Sequence, residues 1–227
     1  MITMKEFTFA VLVSGLLMFS NAAYCQGFGN LNFEFANVPF VPSGQFGADV
    51  PISQGMPAWS AFGNGINALT TIQHNNLALS GPEVGILGPA WNDPALQILE
   101  GSYSALRLSS RTVPSTSVAI AETGRVPSNA RSLTFFSSPS SIFQVTFGGQ
   151  VIPLAQVGSG PNYIVQGADI SQFADQTGEL RFTAGPGGGG ILDNIHFSSS
   201  PIPEPTTRAL YGFGALLLSL RVLRLKA

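Results

Sequence analysis

The chain is short of charge, of cysteine and, through its middle, of lysine. Only 10% of its 227 residues are Asp, Glu, Lys or Arg, well under the roughly 25% usual in soluble domains. Gly, Pro, Ser, Thr and Asn fill the gap, which favours short strands and turns over long surface helices. Between Gln26 and Ser200 there is no lysine. Five arginines (Arg107, Arg111, Arg125, Arg131 and Arg181) stand there against ten acids. Gripping nucleic acid requires a basic stripe that neutralises phosphates, so that class of partner is disfavoured. The single cysteine, Cys25, can form no internal disulfide, and a Cys-based zinc site is excluded with it.

Catalytic chemistry is equally sparse. Ser–His nucleophilic catalysis needs a positioned base, and His74 and His196 read as ordinary structural or surface histidines. The run Gly187-Gly188-Gly189-Gly190 is followed by no lysine and opens no helix, so it reads as a turn and not a phosphate loop. No spacing singles out a pair among the acids for glycoside hydrolysis. The expectation is a chain that is not an enzyme.

Apolar runs are confined to the two ends. Lys5 begins a small basic region, followed by apolar Phe7–Phe19 and then small residues, the pattern of a cleavable signal peptide over 1–25. A buried N-terminal helix is the other reading. At the far end, over 201–227, come Pro203-Glu204-Pro205, the apolar stretch Ala209–Leu220, and a basic end with Arg221, Arg224 and Lys226. This succession resembles the PEP-CTERM family of sorting signals, with Arg208 departing from the pattern by placing a charge just before the apolar run. The resemblance implies a partner, an exosortase-type membrane transpeptidase that recognises the tail and releases or transfers the protein. It also implies a Gram-negative host that makes exopolysaccharide.

Elementary physics is consistent with such a tail. About 12 apolar residues make a marginal anchor where roughly 20 are usual. The basic end stays cytoplasmic under the positive-inside rule, leaving Pro203–Pro205 outside. The expected precursor is held at both ends by transient membrane insertion, and the mature protein lies on the outer surface, in the extracellular matrix or in the medium. A plain tail-anchor helix is the competing reading.

The interval 26–200 reads as one all-β domain, a single antiparallel sandwich flanked by the signal helix and the C-terminal hydrophobic helix. Strand signals recur at Leu31–Phe35, Ala58–Phe62, Ala68–Gln73, Ala95–Glu100, Ser104–Leu108, Ser117–Ala121, Ser132–Phe136, Phe143–Phe147, Tyr163–Gln166, Glu179–Thr183 and Leu192–Phe197. Gly148-Gly149, Gly158-Ser159-Gly160-Pro161 and Gly185-Pro186-Gly187 punctuate them. Asp169–Gln176 reads as one capped helical turn. The order of pieces resembles the jelly-roll modules that bind carbohydrate or pad bacterial surface proteins. Asn30–Glu34, Gly167–Phe182 and Ile191–Phe197 carry that resemblance.

Two functions follow as expectations. One is a structural, non-enzymatic surface or biofilm-matrix protein linked to exopolysaccharide; the alternative is a carbohydrate-binding module. Flat rings stack on sugars, and Trp91, beside Asn92 and Asp93 in a Gly/Pro-rich context, is the candidate, with packing as its other reading. Trp59 reads as core. The jelly-roll resemblance further implies a structural calcium ion joining an early Phe33-Glu34 to a late Asp193-Asn194, since calcium takes oxygen donors. Otherwise Glu34 caps a turn and Asp193 bonds the glycine loop before it.

Overall fold

The computed structural model describes residues 27–64, 66–76, 82–94, 96–108 and 116–202. The expected signal helix, the C-terminal hydrophobic helix and Pro203-Glu204-Pro205 lie outside them. Among the described residues no helix is long and apolar enough to cross a membrane.

The first seven strands are β1 (Asp49–Pro51), β2 (Ser60–Gly63), β3 (Asn67–Leu69), β4 (Thr71–His74), β5 (Glu83–Leu87), β6 (Ser104–Leu108) and β7 (Val118–Arg125). The second seven are β8 (Ser132–Ser137), β9 (Gln144–Phe147), β10 (Gln150–Ile152), β11 (Ala155–Ser159), β12 (Ile164–Asp169), β13 (Thr177–Ala184) and β14 (Gly189–Ser198). They form an eight-stranded sheet in the order β1-β4-β5-β6-β14-β8-β12-β11, and a six-stranded sheet in the order β10-β9-β13-β7-β2-β3. The last strand thus lies mid-sheet between β6 and β8.

The expected β-sandwich is present, with one correction to its antiparallel character. β4 and β5 run parallel, Gln73 opposite Gly85 and His74 opposite Ile86.

The main core lies between the sheets. Along β13, Leu180, Phe182 and Ala184 point inward and are buried, as the period of two requires. Phe182 meets Phe135 of the facing sheet edge-on at 5.2 Å and Trp59 at 6.2 Å, and Trp59 meets Phe33 at 5.5 Å. Trp59 is a core residue, as expected, and its indole N–H donates to the Asn30 carbonyl at 3.1 Å. On the outward face of β13, the Arg181 guanidinium lies 4.1 Å from the centre of the Phe62 ring.

Two expected strands are replaced by turns. Leu31–Phe35 alternates in sequence but bends, with Asn30 and Phe33 at positive φ. The Asn30 side chain fixes the bend by donating to the Pro57 carbonyl and accepting the Phe35 N–H. Ala95–Glu100 forms no strand in its described residues, 96–100, but belongs to the connection described below. The expected helical turn is a 3-10 turn, Ser171–Phe173, entered where the Asp169 carboxylate accepts the Ser171 N–H at 2.8 Å.

Candidate functional site

Between β5 and β6 the chain makes a long connection whose two roots are pinned by side chains from elsewhere. At the first root Asn75, held at φ 43°, accepts the Gly88 N–H at 2.7 Å and donates to the Pro89 carbonyl at 3.1 Å. A side chain at Gly88 would collide with Tyr103 and crowd the imidazole of His74, so the close approach requires glycine.

From there the chain carries a small second core onto the outer face of the eight-stranded sheet. Leu106 and Ile191 lie there because their neighbours Ala105 and Leu192 face the main core. Leu87, Leu99, Leu106 and Ile191 are covered by Trp91, Leu96 and Ile98, with Phe136 and Tyr163 stacked at 4.0 Å beside them. Trp91 donates its indole N–H to the Leu96 carbonyl at 2.6 Å, which fixes the ring.

Trp91 therefore packs, and it also lines a cleft. A cavity of about 280 Å³ is bordered by Trp91, Asn92 and Asp93 on this connection, by Gln45 and Phe46 on the turn before β1, and by Asn75. All three candidate residues of the sequence motif come together here. Sequence reasoning missed Gln45, Phe46 and Asn75. Phe46 carried the same signal as Trp91, an aromatic set among glycine and proline (Pro42-Ser43-Gly44-Gln45-Phe46-Gly47), and it is 80% exposed. Asn75 spends its amide on the Gly88 root, leaving Gln45, Asn92 and Asp93 as the polar lining.

The second root is where the ends of the domain meet. Glu34 accepts the Ser102 and Tyr103 N–H groups at 2.8 and 3.1 Å. Asp193 accepts the Ser104 hydroxyl at 2.6 Å, the Glu100 N–H at 3.2 Å and the Asn194 N–H at 2.7 Å. The Asn194 amide donates to the Glu100 carboxylate. Burial pushes the Asp193 carboxyl up to about 7, and the charge of nearby Glu34 adds to the rise. Glu34 thus caps the turn at 101–103, whereas Asp193 holds Glu100 and Ser104 and not the glycine loop. Glu100 and Ser104 were missed by sequence reasoning and carry no motif of their own.

Glu34 and Asp193 offer hard oxygen donors, and the hydrogen bonds described to them come from neutral groups. Carboxylate oxygen is the donor type that calcium takes. Among the described residues, however, no group of three or more His, Cys, Asp or Glu is arranged to hold a metal. An ion here would need backbone or amide oxygens beside the two acids.

The domain's ends are joined at further points. Phe28 stacks on Phe197 at 5.2 Å, and Ile195 donates its N–H to the Leu31 carbonyl at 2.9 Å. Glu122 accepts the Gly29 N–H at 2.7 Å while its other oxygen is buried with no partner among the described residues, and burial raises its carboxyl to about 7. His74 is buried on β4, and desolvation lowers its pKa. His196 sits exposed on β14.

No family model and no curated protein matches the chain. Among solved structures it is similar to a Stig cyclase from Fischerella sp. TAU, crystallised with (3Z)-3-(1-methyl-2-pyrrolidinylidene)-3H-indole. The TM-score is 0.50 at 13% identity over 79% of this chain and 98% of that one. It is similar also to an apo cyclase from Fischerella sp., with a TM-score of 0.50 at 12% identity over 79% and 98%. A bacteriophage CBA120 tailspike domain aligns with a TM-score of 0.39 at 15% identity, over 72% of this chain and 21% of the other. The likeness to the cyclases is one of fold.

That likeness corrects the expectation that the chain is not an enzyme. The same sandwich architecture serves enzymes named as cyclases. The lack of a nucleophile–histidine pair or a phosphate loop excluded particular chemistries only. Proton transfer from a positioned carboxyl needs neither device, so residue counts could not decide the matter.

Proposed function

We propose that the chain is an exported bacterial surface protein, sorted by an exosortase-type transpeptidase, whose jelly-roll-type sandwich binds carbohydrate in the Trp91 cleft. The ligand is the exopolysaccharide of the surface or matrix in which the protein resides. One observation carries this reading: Trp91, Asn92 and Asp93 line a single open cleft together with the exposed ring of Phe46. An apolar ring fixed by packing, beside amide and carboxylate groups, suits the alternation of apolar faces and hydroxyl edges in a pyranose.

The chain's own residues divide the work. Trp91 supplies a platform whose orientation is set by Leu96 and the small outer core. Gln45, Asn92 and Asp93 supply hydrogen bonds to hydroxyls, and Asn75 holds the first root of the connection. A calcium ion held by Glu34 and Asp193 would bridge the two acids at the second root and stiffen the connection that carries Trp91.

The sorting part of the proposal draws support from where the chain enters and leaves. Gly27 bridges to Arg125 and Ser198 pairs with Ser132, while Phe28 stacks on Phe197. The exits are therefore neighbours, and a precursor tethered at both ends would place no strain across the sandwich. The test is retention of the full chain on exopolysaccharide from its native host, with intact-mass measurement of the mature form. Retention, with a mass lacking the residues from about Thr206 onward, is the expected result. A chain that passes through unretained, or that keeps Ala227 in a host with an active exosortase, would overturn the corresponding half.

A further inference from the structure

Beyond β14 the chain does not leave the sandwich. Ser198, the last residue of that strand, accepts the Arg131 N–H through its carbonyl at 2.7 Å, and Pro201, three residues on, has no N–H with which to extend the ladder. The Ser132 hydroxyl donates to the Ser200 carbonyl at 2.7 Å, and the Ser200 N–H donates to the Ser198 hydroxyl at 3.1 Å. Ser199, Ser200 and Pro201 are exposed, yet Ile202 is half-buried. A side chain at Gly167 would collide with Ile202 Cδ1 and crowd Val157, so Ile202 rests on bare backbone in the notch that this glycine leaves.

The notch lies on the outer face of the eight-stranded sheet. Ala168 faces the main core, so Gly167 beside it faces outward, opposite Thr134 of β8. β8 separates β14 from β12 in the sheet, so residues 199–202 cross over β8 to set Ile202 on β12. A proline follows both Ser200 and Ile202, which biases both toward extended backbone and lowers the entropy cost of docking.

Covalent geometry then limits where the sorting motif can be. A chain spans at most about 3.6 Å per residue, so Pro203 stays within about 4 Å of the docked Ile202, against about 18 Å if the chain is free from Ser198 onward. Stacked sheets pack about 10 Å apart, which is the room an enzyme needs to pass a wall between motif and sandwich. The docked chain falls short of that at Pro203 and Glu204, and the freed chain exceeds it. Resting on the sorting reading of Pro203-Glu204-Pro205, we propose that residues 199–202 are a clasp that withholds the motif from the transpeptidase. Lifting Ile202 off Gly167 is the step that admits the enzyme, so the fold regulates its own processing.

The test is the rate at which the full precursor is shortened, followed by pulse-chase in its native host with an active exosortase. Ile202→Ser empties the notch, and Gly167→Val fills it from a position remote from the motif. Each should speed shortening about fivefold, the population change that half-burying one isoleucine sustains. A Gly-Ser-Gly-Ser insertion between Ile202 and Pro203 lengthens the tether with the contacts of the sandwich in place. It should speed shortening by as much, and Gly167→Val added to it should bring no further gain. Equal rates in wild type and in the insertion chain would overturn the clasp and leave the sorting reading standing, whether or not Gly167→Val folds. So would slower shortening of Ile202→Ser. A wild-type precursor that is never shortened in that host would overturn clasp and sorting reading together.

Discussion

The molecule has two apolar clusters built largely from the same strands, and they differ in what they are for. The inner one, centred on Phe182, joins the two sheets, and its central side chains are fully buried. The outer one, of Leu87, Leu99, Leu106 and Ile191, joins one sheet to the β5–β6 connection and has Trp91 half in solvent. An inner residue can change only stability. An outer residue can change the shape of the cleft while the sandwich stays folded, so stability and binding are separable there.

The largest expected effect comes from the inner cluster. Phe182→Ala should cost about 3–5 kcal/mol, the range for deleting a buried ring, read as a drop in the unfolding midpoint in denaturant. A cost under about 1 kcal/mol would mean that the sheets do not depend on this contact.

Next come the buried acids, which belong to neither apolar cluster. Glu122 and Asp193 both sit at about 7, above their ordinary values of 4.5 and 3.8. The folded chain therefore holds protons there that the unfolded chain has released. Stability from these groups is complete below about pH 4 and is lost as pH rises to about 7. Thermal melts should fall across that window, and Glu122→Gln should flatten the fall, removing about 3 kcal/mol of pH dependence at 1.36 kcal/mol per unit. Calcium favours ionised Asp193, so millimolar calcium should raise the melting temperature most near neutral pH. A wild-type melt independent of pH would refute the protonated acids, and a calcium response unchanged in Asp193→Asn would remove that residue from the ion site.

Much of this was legible in the sequence where one face meets water. Ser104–Leu108 appears with the expected ends, and Gln144–Phe147 and Thr177–Ala184 contain the alternation that announced them. Glu83–Leu87 was missed because all five residues are buried and nothing alternates. At Leu87 its outer face is hidden by the very connection that carries Trp91, so there a lost period marked a covered sheet. Leu31–Phe35 failed in the opposite sense. Its alternation is real, but Phe33 reaches the core from a turn that Asn30 fixes by side-chain bonds.

The site was half legible for a related reason. Trp91, Asn92 and Asp93 are consecutive, and their loop composition pointed to exposure. Phe46 and Asn75 reach the same cleft only through the parallel pairing of β4 with β5 and the antiparallel pairing of β1 with β4. No local pattern announces such a meeting. Glu34 and Asp193 were paired through the jelly-roll resemblance, and the structure brings both to the 100–104 segment, which the resemblance did not indicate.

The separation of the two clusters, with Trp91 serving the cleft more than the fold, is tested most directly by one paired measurement on Trp91→Ala. Unfolding free energy and retention on exopolysaccharide are read from the same preparation of the full chain. The account predicts a modest loss of stability, about 1–2 kcal/mol for a half-buried ring against the 3–5 of a fully buried one, together with loss of retention. A variant destabilised as much as Phe182→Ala, or one that is still retained like the wild type, would contradict it.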